Sequence, residues 1–528
     1  MIARRHAIAV SLLLPKAFRW GSLVEPKMNR VGRAILMTRS PQRLARKPRS
    51  RYGNWVIAPT TLDPAAYVDL TAAVGEGNWY DDPEALAPHL VDWRGAVHGR
   101  ASLLLRPRTT AAVVRIVEAA ARHRVALVPQ GGNTGLVGGG IPDMSGGAVL
   151  LSLARMDRIR DVDAAGLTLT CEAGAVLANV HDAARAAGCE FPLSLGAKGS
   201  ATIGGLVSTN AGGVQVLRHG TMRALVAGLE AVLPDGRVLH QLTGLAKDNS
   251  GYDIKQLLIG GEGTLGIVTA VALRLVPAPA HRAVAWAGLA DPHAALKLLT
   301  RLRRASGGQV ESFELIPADG LALTVQHIEG IRSPLAREHA WHVLVELAGP
   351  ASLDELLTEA LGEAAMAGEI EDATVAASTA QAAALWRIRE ELPEAERRDG
   401  PSLHHDISVA VAAMPGFTID TGAEVEAAFP GARILSFGHL GDGNLHFNVR
   451  PPADAEPRAW LAANGGPVTT LVYDLVTAAG GSISAEHGIG ILKREMLVRT
   501  ADPAKLSAMR AVKAALDPLG IMNPGKIL

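Results

Sequence analysis

Cysteine is nearly absent: Cys171 and Cys189 are the only two in 528 residues. Two thiols cannot build a disulfide framework, and with no cysteine cluster they read as small buried apolar side chains. No run of about 18 apolar residues occurs, so the sequence offers no membrane-spanning helix. Net charge is lacking too, with 52 Lys+Arg against 52 Asp+Glu. That balance hides two unlike parts. Residues 1–51 hold 13 bases and one acid, Glu25, leaving 39 bases and 51 acids for the other 477 residues. A body that acidic is a poor phosphate binder, which excludes general nucleic-acid binding by it. The basic arm, residues 1–57, reads as disordered and solvated, with Met28 or Met37 as alternative starts. Ala7–Leu14 has the outline of a secretion-signal core, but Pro15, Lys16 and Arg19 interrupt it and no small-residue cleavage site follows. A cytoplasmic protein is expected, with peripheral membrane contact as the arm's alternative role.

What is there is apolar material and patterned glycine. Hydrophobic residues make up 48% of the chain, enough for sizeable cores. At about 150 residues per domain the length suggests two to four domains. Leu103–Leu105 reads as a strand, Thr109-Thr110 as a cap before a helix carrying Val113, Ile116, Val117 and Ala120, and Val125–Val128 as the next strand. Three glycine-rich segments follow: QGGNTGLVGGG from Gln130, GAKGSATIGGLVSTNAGG from Gly196 and GGEGTLG from Gly260. Linkers do not carry Asn133, Thr134, Ile203 and Leu206 between strand-like runs. The segments therefore read as backbone held close to a phosphate-bearing cofactor. The third segment matches GxGxxG, but a strand (Ile267–Val276) follows it instead of a helix, and no acid lies about 20 residues on. A nicotinamide-type dinucleotide site is excluded there.

After Pro277 the glycines thin out. Strands are expected at Trp286–Leu289 and Trp341–Leu347. Helices are expected at Asp291–Arg304, at Ser352–Met366 with Ser352 as cap, at Thr379–Arg398 with a break at Pro393, and at Ala504–Leu516. Arg433–Phe437 and Leu445–Val449 flank Gly-Asp-Gly-Asn and read as a hairpin. His439 then ends one strand and His446 begins its partner, facing it across the turn. His446 and Asn448 share a sheet face. Two imidazoles and an amide on one face suit a divalent metal and an oxyanion. The segment SISAEHGIG adds Glu486 and His487 on a glycine-bounded bend.

These residues carry a family resemblance. The blocks PQGGNTGLVGGG, SLGAKGSATIGGLVSTNAGG, KDNSGYDIKQLLIGGEGTLGIVT, GHLGDGNLHFNV, SAEHGIG and MNPGKIL appear in that order. The chain resembles the FAD-linked D-2-hydroxy acid dehydrogenases of the vanillyl-alcohol-oxidase fold superfamily, in the D-2-hydroxyglutarate and D-lactate dehydrogenase branch, over residues 58 to 528. The resemblance implies an α+β fold: a two-subdomain FAD-binding domain at 58–280, a cap domain with antiparallel sheet at 281–500, and a C-terminal segment at 501–528 returning to the FAD domain. It implies non-covalent FAD contacted by Pro129, Gly131, Gly132, Asn133, Thr134 and Gly135, and by Pro192, Leu193, Gly196, Ser200, Thr202, Gly204, Gly205, Asn210 and Gly212. Glu262 and Ile267 match the contact region near the adenine, and Asn523 the position beside the flavin. His439, His446 and Glu486 match ligands of a divalent metal, zinc by the family pattern. His487 matches the catalytic base, and Arg389 and Asn448 match substrate-binding positions.

The implied reaction is oxidation of a D-2-hydroxy acid to the 2-oxo acid by hydride transfer to flavin N5. Electrons would pass to an electron-transfer flavoprotein or a quinone, and a homodimer is allowed. D-2-hydroxyglutarate is the first substrate expected. Two departures weaken its distal carboxylate site: His404 stands where a lysine is usual, and Pro393 where Ser or Thr is usual. D-lactate or glycolate dehydrogenation is the alternative, and a catalytically silent flavoprotein subunit the further one.

Overall fold

The computed structural model describes residues 62–528, so the basic arm lies outside the described residues. Local sequence sets the helix ends much as expected. Thr109 is the N-cap of helix Thr110–His123, its hydroxyl accepting from the Ala112 N–H at 3.2 Å. Asp291 caps Pro292–Ala305 in the same way at 2.8 Å. The expected Ser352 cap does not form. The helix runs Asp354–Met366, and the Ser352 hydroxyl donates instead to the Asp354 carboxylate at 3.1 Å. Pro393 ends one helix and begins another: Thr379–Glu390 stops, and Leu392–Asp399 starts with the proline in its first turn, where its missing N–H costs nothing.

Two large cores divide these elements. The first gathers residues from Ala66 to Leu275 and takes in Ile521 and Met522 from the chain end. It holds a four-stranded sheet in the order Trp79–Tyr80, Leu104–Leu105, Val149–Ser152, Leu127–Gln130. It also holds a five-stranded sheet, Ile159–Asp163, Thr168–Glu172, Ile267–Arg274, Val226–Val232 and Val238–Gln241, antiparallel throughout. The chain end docks on the first sheet, Leu127 N–H donating to the Ile521 carbonyl and Asn523 N–H to the Leu127 carbonyl, each at 2.8 Å.

The second core lies on a seven-stranded antiparallel sheet, in the order Asp372–Val375, His281–Leu289, Trp341–Gly349, Val310–Pro317, Arg433–His439, Asn444–Arg450, Leu403–Ser408. Strand alternation gives this sheet two unlike faces. Ala285, Phe313, Val345, Ile407, Phe447 and Val449 point one way and pack beneath helices Pro292–Ala305, Asp354–Met366, Met414–Ala428 and Pro457–Ala478. The opposite face is divided. Trp286, Ile316, Leu344, Leu435 and Phe437 form a smaller apolar cluster with the helices around Leu321, Leu385 and Leu392. Beside them the same face is polar, because Glu314, His439, Asn444, His446, Asn448, Asp406 and His404 share that parity.

Candidate active site

The polar patch is ordered by sheet register. His439 pairs with Glu314 on one side and Asn444 on the other. His446 pairs with Phe437 and with Asp406. The hairpin therefore corrects the sequence expectation by two residues. The second strand begins at Asn444, two residues before His446, so the histidines meet diagonally and not directly across. A shift of two preserves the face, and the rings still lie 5.6 Å apart, edge to face.

Segment 482–490 folds over this patch. Glu486 and His487 are partly buried there, and one ligand atom from each of His439, His446 and Glu486 lies within 4.8 Å of the others. Two imidazoles and a carboxylate form a donor set suited to a divalent ion with an open position. A carboxylate holds one of the two rings as a metal site requires, and a second stands near the other. Glu314 sits 2.6 Å from His439 Nδ1, leaving Nε2 to face Glu486 at 3.8 Å. Asp406 stands 3.9 Å from His446 Nδ1 and 3.5 Å from His487 Nδ1. Asp406 also accepts the Glu486 and His487 N–H groups, at 2.9 and 3.0 Å.

The charges sort themselves accordingly. Burial alone would lower the His439 pKa, but the Glu314 carboxylate overcomes it and lifts the imidazole to about 9. Burial raises the Glu486 carboxyl, with His439 pulling the other way. Burial also holds His446 well below its ordinary value and lowers His487 to about 4, although the Asp406 charge opposes this, so both are neutral at pH 7.

Arg389 ends its helix at this patch, buried, with Nε donating to Glu314 at 2.8 Å and its guanidinium 5.0 Å above the Phe437 ring. Asn448 is less free than expected, because its amide donates to the buried Glu396 at 2.8 Å. His404 does not supply the positive charge of the lysine usual at its place. Burial and the nearby Arg94 lower its pKa to about 3.

The glycine segments meet beside this centre. A Cβ on Gly131 would stand 2.2 Å from the Thr202 hydroxyl, and one on Gly132 1.8 Å from the Ser200 carbonyl, so the first two segments pack backbone to backbone. Gly135 and Gly196 face open space. The Thr202 hydroxyl and Asn523 Oδ1 are buried without a hydrogen-bond partner, as expected of groups awaiting a cofactor. A Cβ on Gly212 would lie 3.2 Å from Glu486 Oε1, which places the second segment against the cluster of His439, His446 and Glu486.

Other expected contacts are turned elsewhere. Pro192, Leu193, Gly204 and Ile267 are buried, with Leu193 and Ile267 in the apolar core, so they can offer a cofactor only backbone. Asn133 donates to the Val91 carbonyl at 2.9 Å, and Asn210 accepts from Thr221 and from the Arg223 N–H, so both amides brace loops. Thr134 and Gly205 lie along the same two segments and are partly buried.

Sequence reasoning missed Glu314, Asp406, Glu396 and Arg94. An acid inside the apolar run of Val310–Pro317 was the available signal for Glu314, and Asp406 stands two residues from His404 on one strand face. Arg94 left no signal. It lies in the turn at Asp92–Gly95, makes no ion pair among the described residues, and is close enough to Glu396 and Asp406 to feel their charge. It is solvent-exposed on its own surface, yet protein encloses it enough for desolvation to lower its pKa.

Comparisons with known proteins agree with this layout. The profile described as FAD binding domain matches residues 101–241, and that of the C-terminal domain of FAD linked oxidases matches residues 278–527. The mitochondrial D-2-hydroxyglutarate dehydrogenase of Bos taurus is 40% identical over 465 residues, covering 87% of this chain and 83% of that protein. The D-2-hydroxyglutarate dehydrogenase of Xanthomonas citri pv. viticola is 38% identical over 447 residues, 84% of this chain and 93% of that one. The structure of p-cresol methylhydroxylase with substrate bound superposes with a TM-score of 0.67 at 15% identity, over 88% of this chain and 96% of that chain, a likeness of fold. The chain thus belongs to the FAD-linked oxidase family, alongside the D-2-hydroxyglutarate dehydrogenases, and is an FAD-dependent oxidoreductase.

Proposed function

We propose that the chain oxidises a D-2-hydroxy acid to the 2-oxo acid where the glycine segments meet the polar face of the seven-stranded sheet, with D-2-hydroxyglutarate as the preferred substrate. The observation that carries this reading is the His439, His446 and Glu486 set, with His487 on the same strap and Gly212 against Glu486. His439, His446 and Glu486 would hold the divalent ion, zinc by its nitrogen and oxygen donors. Pro129–Gly135, Gly196–Gly212 and Asn523 would hold the flavin without a covalent bond. When bound, FAD supplies the acceptor for the hydride leaving Cα, and the metal ion lowers the pKa of the substrate hydroxyl.

The chain's own groups do the rest. Arg389, aimed by Glu314 and Phe437, presents its terminal N–H groups to the substrate's α-carboxylate. His487, neutral and turned by Asp406 on its Nδ1 side, takes the hydroxyl proton at Nε2. The packed Gly131–Thr202 loops hold the cofactor against this centre, so the alignment is set before substrate enters. Arg94 is the cation available to a distal carboxylate, because Arg389 is taken by the α-carboxylate, Arg450 is engaged by Asp399, and His404 is neutral. Residues 58–280 would form the flavin part and 281–500 the cap, a division the two large cores support; of the chain end, Ile521 and Met522 join the first core and Ile527 the second. An electron-transfer flavoprotein or a quinone would reoxidise the flavin.

D-lactate or glycolate oxidation is the second reading, favoured by Pro393 and by the acid Glu396 beside Asn448. The test is to mix metal-replete holoenzyme anaerobically with D- and L-2-hydroxy acids. D-2-hydroxyglutarate should bleach the flavin fastest and the L-acids not at all. Faster bleaching by D-lactate selects the second reading, and no bleaching by any of them sinks both.

A further inference from the structure

The strap that carries Glu486 and His487 is held by its backbone N–H groups, and two buried carboxylates from opposite sides do the holding. Asp406, on the cap sheet, accepts the N–H groups of Glu486 and His487 at 2.9 and 3.0 Å. Glu262, in the third glycine segment, accepts the N–H of Ile489 at 2.7 Å through Oε1 and that of Gly490 at 2.8 Å through Oε2. Glu262 is itself fixed to the flavin part. Its N–H donates to the Ser208 carbonyl at 2.8 Å, and its carbonyl accepts from the Asn523 amide at 2.7 Å. Gly488 lies between the two clamps at φ +79°, and a Cβ there would stand 2.8 Å from Glu262 Oε1, so the strap lies directly on the carboxylate.

We propose that Glu262 is a positioning residue: its carboxylate couples the flavin-binding loops to the strap and so sets where His487 and Glu486 stand relative to the flavin. This replaces the expected adenine-side contact, since both carboxylate oxygens already bind the strap. The inference rests on the reaction proposed above only for its kinetic readout. A carboxylate is needed because both partners are donors. A glutamine turns an NH2 group towards one of them, which leaves that amide without an acceptor and pushes the strap away. Displacement of a base by about 1 Å costs roughly a hundredfold in rate.

The experiment uses Glu262→Gln holoenzyme. Flavin content and metal content should match the wild type. The rate of flavin reduction by D-2-hydroxyglutarate should fall about 10- to 100-fold. The substrate KM should stay within about twofold, and the effect of deuterium at Cα on kcat should be at least as large as in the wild type, because the chemical step has slowed. Hydrogen exchange at the Ile489 and Gly490 amides should accelerate. If Glu262→Gln does not fold, Glu262→Asp takes its place, keeping the charge but withdrawing both oxygens by one methylene. An unchanged reduction rate, or loss of FAD with the strap amides still protected, overturns the proposal. If the wild type oxidises no 2-hydroxy acid, the reaction reading fails on its own. The exchange rates then decide: unaltered protection at Ile489 and Gly490 overturns the clamp as well.

Discussion

The two halves of the site are built from different materials. On the flavin side the chain offers mostly backbone, with glycines where one segment crosses another. On the cap side it offers side chains, seven of them polar or titratable, arrayed on one sheet face and wired to each other by carboxylates. Backbone recognition suits a large cofactor bound once and kept. Side-chain recognition suits a small acid that must enter, lose a proton and a hydride, and leave. The difference predicts that damage on one side leaves the other side's cargo in place.

The largest effect should come from Gly132→Ala. A Cβ there would stand 1.8 Å from the Ser200 carbonyl, so the two flavin segments cannot close. The purified protein should lack flavin absorbance while still binding zinc in a chelator-competition titration; retained flavin would break the comparison. Next is His487→Gln. Turnover should fall by roughly 10²- to 10⁴-fold, as for loss of a general base, with flavin content unchanged. His439→Ala should abolish turnover similarly and also deplete the metal. Arg94→Gln should raise KM for D-2-hydroxyglutarate about tenfold and leave KM for D-lactate alone, an effect of one lost charge pair. Equal changes for both acids would remove Arg94 from the distal site.

A smaller effect tests how the halves are joined. Glu311 is buried on the cap sheet and receives hydrogen bonds across to Gln215 at 2.9 Å and Arg218 at 2.8 Å. Burial would raise its pKa, but His219, Gln215 and Arg218 lower it to about 2. A carboxyl lowered on folding contributes stability that is whole above its unfolded value, about 4.5, and is lost as the pH falls towards 2. Acid unfolding followed by circular dichroism should steepen in that window, and Glu311→Gln should flatten it.

Much of the flavin side was legible because its information is local. A glycine needed at a crossing shows up as a glycine in a short block, and the cap of Thr110–His123 or the break at Pro393 follows from two or three neighbouring residues. The hairpin was legible too, but its register was not. The turn between His439 and Asn444 takes four residues, and only the paired strands show that His446 stands opposite Phe437. Ser352 misled because the nearby Asp354 carboxylate took its hydroxyl. His404 misled because an ordinary imidazole pKa presumes an open aqueous setting, whereas the surrounding protein and the nearby Arg94 charge disfavour its cation even though the ring keeps some exposure.

By itself the sequence determined the chemistry on offer: glycine segments for a phosphate-bearing cofactor, and two histidines, a glutamate and a third histidine whose donor types suit a metal and a base. Local spacing and residue type suffice to put those groups on offer, and the family resemblance suggests their roles. Only the tertiary structure decided who holds whom. Glu314, Asp406 and Glu262 lie 125, 81 and 227 positions from the groups they orient. No periodicity links residues so far apart. Their pairing arises when strands take register and a strap is buried, because every N–H and carboxylate shut away from water must then find its partner.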